Sequence, residues 1–265
     1  MKKFISRGYL FVILAFIYAP ILLLLIYSFT DSTIIGKWDG FSFELYQKLF
    51  TEERLRTMII NTLLLAFLAA TISTVLGTVG AIGIHYNKKA FGKGVSGASQ
   101  IPVINAEIVT AISLALMFAM LGVGRSYFSL IVGHVVLCTP FVVLSVIPKL
   151  KQMDGSLYEA ALDLGATPTK ALFKVVLPEI LPGIFSGFML AVTLSLDDYM
   201  ITAYTKPTTF NTISTYVYSA VKNQSKSQLP ALRALSSVLF LVMVGVVIFM
   251  NIRASKKNRR NDKNI

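Results

Sequence analysis

Glu159-Ala160-Ala161-Leu162-Asp163-Leu164-Gly165, followed ten residues later by Val175-Val176-Leu177-Pro178, is the stretch from which this chain is best read. It lies in a moderately polar segment, 150–182, of a chain otherwise dominated by apolar runs. Leu157 to Leu164 are mostly good helix formers. Gly165 follows where a left-handed C-cap is wanted. Thr167-Pro168 starts a second short helix, with the threonine as cap and the proline at the first position. Leu172, Val175 and Val176 give that helix an apolar face, and Pro178 and Pro182 are expected to end it before the next apolar run. Ala160 and Ala161 are small enough to let another surface approach closely. Tyr158, Leu162, Leu164 and Phe173 would be a liability if they faced only water. The segment therefore reads as a docking surface; the alternative is an amphipathic loop that folds back on a membrane.

The rest of the chain sets the solvent. Hydrophobic residues make up 55% and charged residues only 14%, where an average soluble domain has roughly 25% charged. The mean hydropathy is +0.69. So much apolar surface needs lipid around it, and the 265 residues are better measured in spans of about 20 than in soluble domains. The net charge of +12 does not point to nucleic acid, because the basic residues sit at the ends of apolar runs, where they report topology. The single cysteine, Cys138, excludes an intrachain disulfide and a cysteine metal cluster. It reads as a small buried hydrophobe.

Six apolar segments are expected to span: about 9–29, 58–85, 101–121, 129–150, 183–204 and 235–252. The first follows Lys2, Lys3 and Arg7 but is long enough to span, and no small-x-small site follows it. It reads as an uncleaved helix, kinked by Pro20. The second is long and should tilt or project. Between alternate loops the basic residues divide 16 to 9. The richer side carries both termini, Lys88, Lys89 and Lys93, and the 150–182 segment. By the positive-inside rule that side is the cytoplasm. In the first outer loop Ser42 is a candidate N-cap, and Phe43, Leu45, Leu49, Phe50 and Leu55 recur at roughly helical spacing, which predicts a short surface helix. The second outer loop, 122–128, is short, so spans three and four form a hairpin. Tyr204, Tyr216 and Tyr218 of the third read as interfacial anchors.

Three acids lie in or near these spans: Glu107, Asp197 and Asp198. A charge at the bilayer centre costs about 2.5–3.5 kcal/mol on insertion scales, so such residues face a cavity or a partner. Asp197 falls ~21 Å along the fifth span at 1.5 Å per residue, in its outer part. Adjacent helix positions point about 100° apart, so one of the two aspartates can line a path while the other caps or pairs. Glu107 counts as nearer the cytoplasmic end, unless the third span begins earlier, within 95–100. No Lys or Arg sits at comparable depth. A cationic solute could supply the partner; so could a second subunit, or protonation. His134 and Asn61, also within spans, are expected to make interhelical hydrogen bonds.

Several stretches, in order, carry a resemblance. They are Tyr18-Ala19-Pro20-Ile21, Tyr27-Ser28-Phe29, Trp38-Asp39-Gly40-Phe41, Glu107-Ile108-Val109, the Glu159–Pro178 pattern and Ser195-Leu196-Asp197-Asp198. Over nearly its whole length the chain is similar to PotC-type permeases of the spermidine/putrescine ABC importers, and the Glu-Ala-Ala loop resembles the coupling loop of type I ABC importer permeases generally. The resemblance implies an all-α, polytopic membrane protein of six transmembrane helices with both termini cytoplasmic, in the bacterial cytoplasmic membrane. It treats 1–265 as a single permease domain, with a coupling loop at about 150–182 and a short basic tail at 253–265. It places solute contacts on Glu107, Ser195, Asp197 and Asp198, and Tyr46 as a substitute for the aromatic residue that relatives carry where this chain has Leu45. It places ATPase contacts on Glu159, Ala160, Ala161, Leu164, Gly165, Leu177 and Pro178.

The same resemblance implies partners: a homologous second permease (PotB-like), a cytoplasmic ATPase dimer (PotA-like), an extracellular or periplasmic solute-binding protein (PotD-like), and membrane lipid. The chain has no Gly-x-x-x-x-Gly-Lys-[Ser/Thr] loop, so ATP and magnesium are expected on the partner, with no cofactor, metal site or catalytic residue on this chain. Other readings stay open: an importer permease for another solute, a cation-coupled secondary transporter, or a structural subunit. The second usually shows two related halves, and no convincing repeat is evident.

Overall fold

The computed structural model describes residues 2–30, 32, 37–87, 97, 103–223, 231–238, 240–242 and 244–245. The basic loop around Lys88–Lys93, half of the sixth apolar segment and the 253–265 tail lie outside them. The described residues are mostly helical, with no strand among them. In chain order the helices are α1 Lys2–Tyr27, α2 Glu44–Thr51, α3 Glu53–Tyr86, α4 Glu107–Met120, α5 Tyr127–Gln152, α6 Ser156–Asp163, α7 Pro168–Ala171, α8 Leu177–Asp197, α9 Met200–Thr205 and α10 Ile213–Lys222. A further apolar helix runs over Ala231–Val242.

Four helical stretches are long and apolar enough to cross a membrane: Gly8–Tyr27, Glu53–Tyr86, Tyr127–Gln152 and Pro168–Asp197. The second, at 34 residues, is ~51 Å long at 1.5 Å per residue, well beyond a hydrocarbon core of about 30 Å. Two expected spans are shorter than their apolar runs. Glu107–Met120 has 14 residues, and the fifth run is divided because its helix stops at Asp197.

Contacts group the chain into two compact units, Met1–Thr57 with Ser219–Ile265, and Met58–Tyr218. In the first, α1 carries Pro20 without interruption. Beyond it the rings of Phe29, Phe41, Phe43 and Tyr46 form a cluster, with Phe29 and Phe41 stacked at 5.2 Å and Phe43 meeting Phe41 edge-on at 5.0 Å. The expected surface helix is α2, with Leu45 and Leu49 buried. Ser42 is not its formal cap: the helix begins after Phe43, and the Ser42 hydroxyl accepts from Glu44 N at 3.1 Å. Lys37 lies 2.9 Å from Asp39, and that exposed pairing holds the Asp39 carboxyl below its ordinary value. Arg233 donates to the Ser32 carbonyl.

The second unit is built on α5 against α8. Cys138, Val142, Val143, Val146 and Leu150 of α5 meet Val176, Ile180 and Ala191, with Ala70 and Ala81 of α3 in the same cluster. In lipid, helices gain nothing from hydrophobic contact as such and associate by close packing of small residues. Gly187 shows this: a Cβ there would stand 3.1 Å from Val142 Cγ1. The α4–α5 hairpin forms as expected, with its turn at Gly122 and Gly124, both at positive φ. Ser126 and Ser129 close a reciprocal capping box at the start of α5. Tyr216 is buried rather than placed as an interfacial anchor.

Candidate functional site

The second unit holds a helix break at the acidic pair. Helix α8 ends at Asp197. Asp198 turns extended at φ −60°, ψ 124°, and the short helix α9 begins two residues later. The Asp198 carboxylate caps α9: Oδ1 accepts from Ile201 N at 3.1 Å, and Oδ2 accepts from Thr202 N and from the Thr202 hydroxyl, each at 2.8 Å. An acid is the natural residue there, because the first amides of a helix lack partners and carry partial positive charge.

His134 of α5 completes the arrangement. Its Nδ1 lies 2.8 Å from Ser195 Oγ, and its Nε2 lies 2.9 Å from Thr202 Oγ1 and 3.5 Å from Asp198 Oδ2. All four residues are buried. With Asp198 ionised, the Thr202 hydroxyl donates to it, His134 Nε2–H donates to Thr202, and the Ser195 hydroxyl donates to Nδ1. A neutral imidazole thus satisfies every contact, as burial requires. His134 makes the interhelical bonds expected of it, and Asn61 donates across to the Asn211 carbonyl at 3.3 Å.

The far end of α9 is also held. Arg125 donates to the carbonyls of Lys206 and Ala203 at 3.1 and 3.0 Å, and Ser129 Oγ donates to that of Thr205 at 3.0 Å. A cation at a helix C-terminus complements its exposed carbonyls. In the middle, Ile201 packs into a cluster with Ala111, Leu114 and Phe118 of α4 and Leu137 of α5.

The other two acids are differently placed. Asp197 and Glu107 are exposed, and no ion pair with either occurs among the described residues. Glu107 opens the first turn of α4 and lies within charge–charge range of both Asp197 and Asp198. Ser195 and Asp198 meet at His134, with Asp197 next to Asp198 in the chain, and Glu107, whose depth the sequence leaves open, is near enough to both aspartates to feel their charge. Tyr46 belongs to the first unit. Its hydroxyl is 2.6 Å from Ser28 Oγ and its ring centroid 5.2 Å from that of Phe29.

The polar loop has the geometry its residues predict, up to its second half. Asp154 Oδ1 accepts from Ser156 N at 3.0 Å ahead of α6, and the two hydrogen bonds from Ser156 hold its carboxyl below the ordinary value. After α6, Gly165 takes φ +83°. Gly165 N bonds the Leu162 carbonyl at 2.8 Å and Ala166 N the Ala161 carbonyl at 3.0 Å, the paired bonds of a left-handed cap. Thr167 caps the next helix with Pro168 behind it.

The prolines do not end that helix. Leu172–Val176 forms a wide π turn that leads straight into α8. Pro178 falls in the first turn of α8, where a missing N–H is tolerated, and Pro182 is carried inside the helix. Leu164 is 89% exposed and Phe173 62%, whereas Tyr158 and Leu162 are half-buried. Tyr158 packs on Tyr86, ring centroids 5.2 Å apart. Glu159, Ala160 and Pro178 are exposed, and Ala161 and Leu177 half-buried. A shallow groove of about 290 Å³ runs along Ala161, Leu164, Gly165, Ala166, Lys170, Ala171, Lys174 and Val175.

The sequence reading gave no site role to Thr202, Arg125, Ser129 or Asp154. Asp198 followed three and four residues on by Ile201 and Thr202 could have signalled a cap, as could the Ser126–Ser129 spacing. Nothing in the sequence signals that Arg125 would reach α9.

Comparison with known proteins places this geometry in context. The profile of the family described as binding-protein-dependent transport system inner membrane component matches residues 1–255. The spermidine/putrescine transport system permease protein PotC of Haemophilus influenzae is 31% identical over 97% of this chain and 99% of its own. The putrescine transport system permease protein PotI of Escherichia coli K12 is 34% identical over 89% of this chain and 85% of its own. Among solved structures, a chain of a bacterial ABC transporter that imports the acidic polysaccharide alginate superposes with a TM-score of 0.71 at 20% identity, over 95% of this chain and 98% of that one. At that identity the likeness speaks to the fold.

Proposed function

The chain belongs to the family of binding-protein-dependent transport system inner membrane components, and from that premise we propose that it is the permease subunit of an ATP-driven importer for a polyamine, spermidine or putrescine. The observation that carries the solute class is the exposure of Asp197 and Glu107 together at a helix break, with no cation beside them among the described residues. A polyamine entering a membrane loses hydration from several ammonium groups at once, and neutral hydroxyls replace it poorly. Carboxylates replace it through charge-assisted hydrogen bonds. The names of the PotC and PotI relatives support the same class.

The family and the PotC and PotI relatives support an assembly with other chains. The chain has no nucleotide-binding loop, so ATP and magnesium belong to a cytoplasmic ATPase dimer. A second, related permease completes the pathway and a solute-binding protein delivers the polyamine. In this reading six transmembrane helices put both termini on one side, and the excess of basic residues there supports placing them, with the polar loop, in the cytoplasm of a bacterial cell. The exposed Leu164 beside a groove floored by alanines and Gly165 suits docking into an ATPase cleft, with Glu159, Ala160 and Gly165 at the centre of the contact and Ala161, Leu177 and Pro178 around it.

Uptake of labelled spermidine, putrescine, a neutral sugar and an anion in a strain lacking the transporter tests this reading. Uptake of a polyamine alone is expected. Uptake of the anion or sugar in its place overturns the solute assignment.

A further inference from the structure

We propose that Asp198 is a positioning residue and not a ligand of the solute, and that with His134, Ser195 and Thr202 it forms a lock that fixes the helix break and so presents Asp197 to the solute beside Glu107. The proposal rests on the cationic-solute reading above, but it divides two neighbouring acids that a reading by sequence treats alike.

The carboxylate of Asp198 is already occupied. Its oxygens take Ile201 N, Thr202 N and the Thr202 hydroxyl at 2.8–3.1 Å, with His134 Nε2 at 3.5 Å. Its side chain is 1% exposed. An ammonium group reaching it would have to displace the first amides of α9 and leave them unpaired in an apolar surround, which is costly. Ser195 is used likewise: its hydroxyl points to His134 Nδ1 at 2.8 Å and the residue is 3% exposed.

The lock also reaches the adjoining chain. Ser214 Oγ donates to the Asp198 carbonyl at 2.7 Å. One helical turn on, Tyr218 stacks on Tyr199 with ring centroids 4.0 Å apart. Gly133, one residue before His134, leaves room for Ile201: a Cβ there would stand 2.6 Å from Ile201 Cγ2. The break is thus tied to α5, α9 and α10 at once. Of the two aspartates, Asp197 alone is free to meet a ligand.

The test uses the whole transporter, with uptake measured against solute concentration and normalised to permease that co-purifies with the ATPase. Asn keeps one acceptor oxygen for the Thr202 donors and carries no charge, while its Nδ2 cannot accept from Ile201 N. Asp198→Ala is expected to lower kcat/KM about tenfold or more. Asp198→Asn should recover part of that loss, with KM within about threefold of the parent, whereas Asp197→Asn should not recover over Asp197→Ala. A cationic thiosulfonate should label Asp197→Cys, in a Cys138→Ser background, with protection by spermidine, and should leave Asp198→Cys unlabelled. The proposal is overturned if Asp198→Asn is as damaging as Asp198→Ala and raises KM more for spermidine than for putrescine. If Asp197→Asn is harmless while Asn still rescues position 198, the lock stands and the cationic-solute reading falls.

Discussion

His134 Nε2 and Asp198 Oδ2 stand 3.5 Å apart, and the Thr202 hydroxyl bridges them, 2.9 Å from the nitrogen and 2.8 Å from the oxygen. The bridge lets a buried carboxylate be satisfied by hydrogen bonds alone, without a charged imidazole. It also explains why α9, only six residues long, keeps its place: its start is capped by an acid, its end by Arg125, and its middle packs into α4 and α5.

That packing yields the first prediction. Gly133→Val puts a branched side chain where even a Cβ would overlap Ile201. Overpacking of this kind costs about 1–3 kcal/mol and here would push α9 off α5. Uptake is expected to be lost while the protein still inserts and still binds the ATPase. Normal uptake at equal expression would show that the position of α9 is immaterial.

The second prediction concerns the loop. Gly165 is at φ +83°, a conformation that costs a non-glycine residue about 1–3 kcal/mol and a β-branched one most of all. Gly165→Val should open the turn between α6 and α7, abolish uptake and weaken co-purification of the ATPase, with membrane insertion intact. Full transport by this variant would remove the coupling role from the loop.

These two sites were legible in the sequence to different degrees, for physical reasons. The α6 turn is local: a run of helix formers, a glycine, then Thr-Pro, each acting through bonds to near neighbours. Reading it needed no knowledge of the rest of the chain. The continuation of that helix past Pro178 was missed because a π turn shifts the hydrogen-bond register and lets the proline fall in a first turn. At the acidic pair the sequence showed that two adjacent acids cannot face alike, but not which one turns inward. That choice depends on His134, 64 residues away, and on Thr202, and such contacts leave no periodic signature. The nearness of Glu107 to the pair stayed open for a different reason: its depth depends on where the third span begins, and α4 starts late in its apolar run.

The third prediction is topological. Lys37 is exposed in the loop expected to lie outside, and Lys170 in the polar loop. In a Cys138→Ser background, an impermeant thiol reagent applied to intact cells should label Lys37→Cys and not Lys170→Cys. The opposite pattern would invert the orientation and move the proposed docking groove outside the cell.

Glu107 gives the fourth. It is exposed and within charge range of Asp197, so Glu107→Gln should reduce polyamine uptake by a factor comparable to or smaller than Asp197→Asn. If the two changes act on one solute, the double substitution should cost less than the sum of the separate losses in free energy, as neighbours sharing a partner do. Strict additivity would place the two acids on separate steps.

The central claim is that Asp197 meets the solute's positive charge, and one variant tests it most directly. Labelled-spermidine uptake by Asp197→Asn should be measured alongside the amount of ATPase that co-purifies with it. The account predicts that kcat/KM falls about tenfold or more, at least 1.4 kcal/mol, while ATPase association matches the parent. Unchanged uptake, or uptake that falls only in step with lost ATPase association, would contradict it.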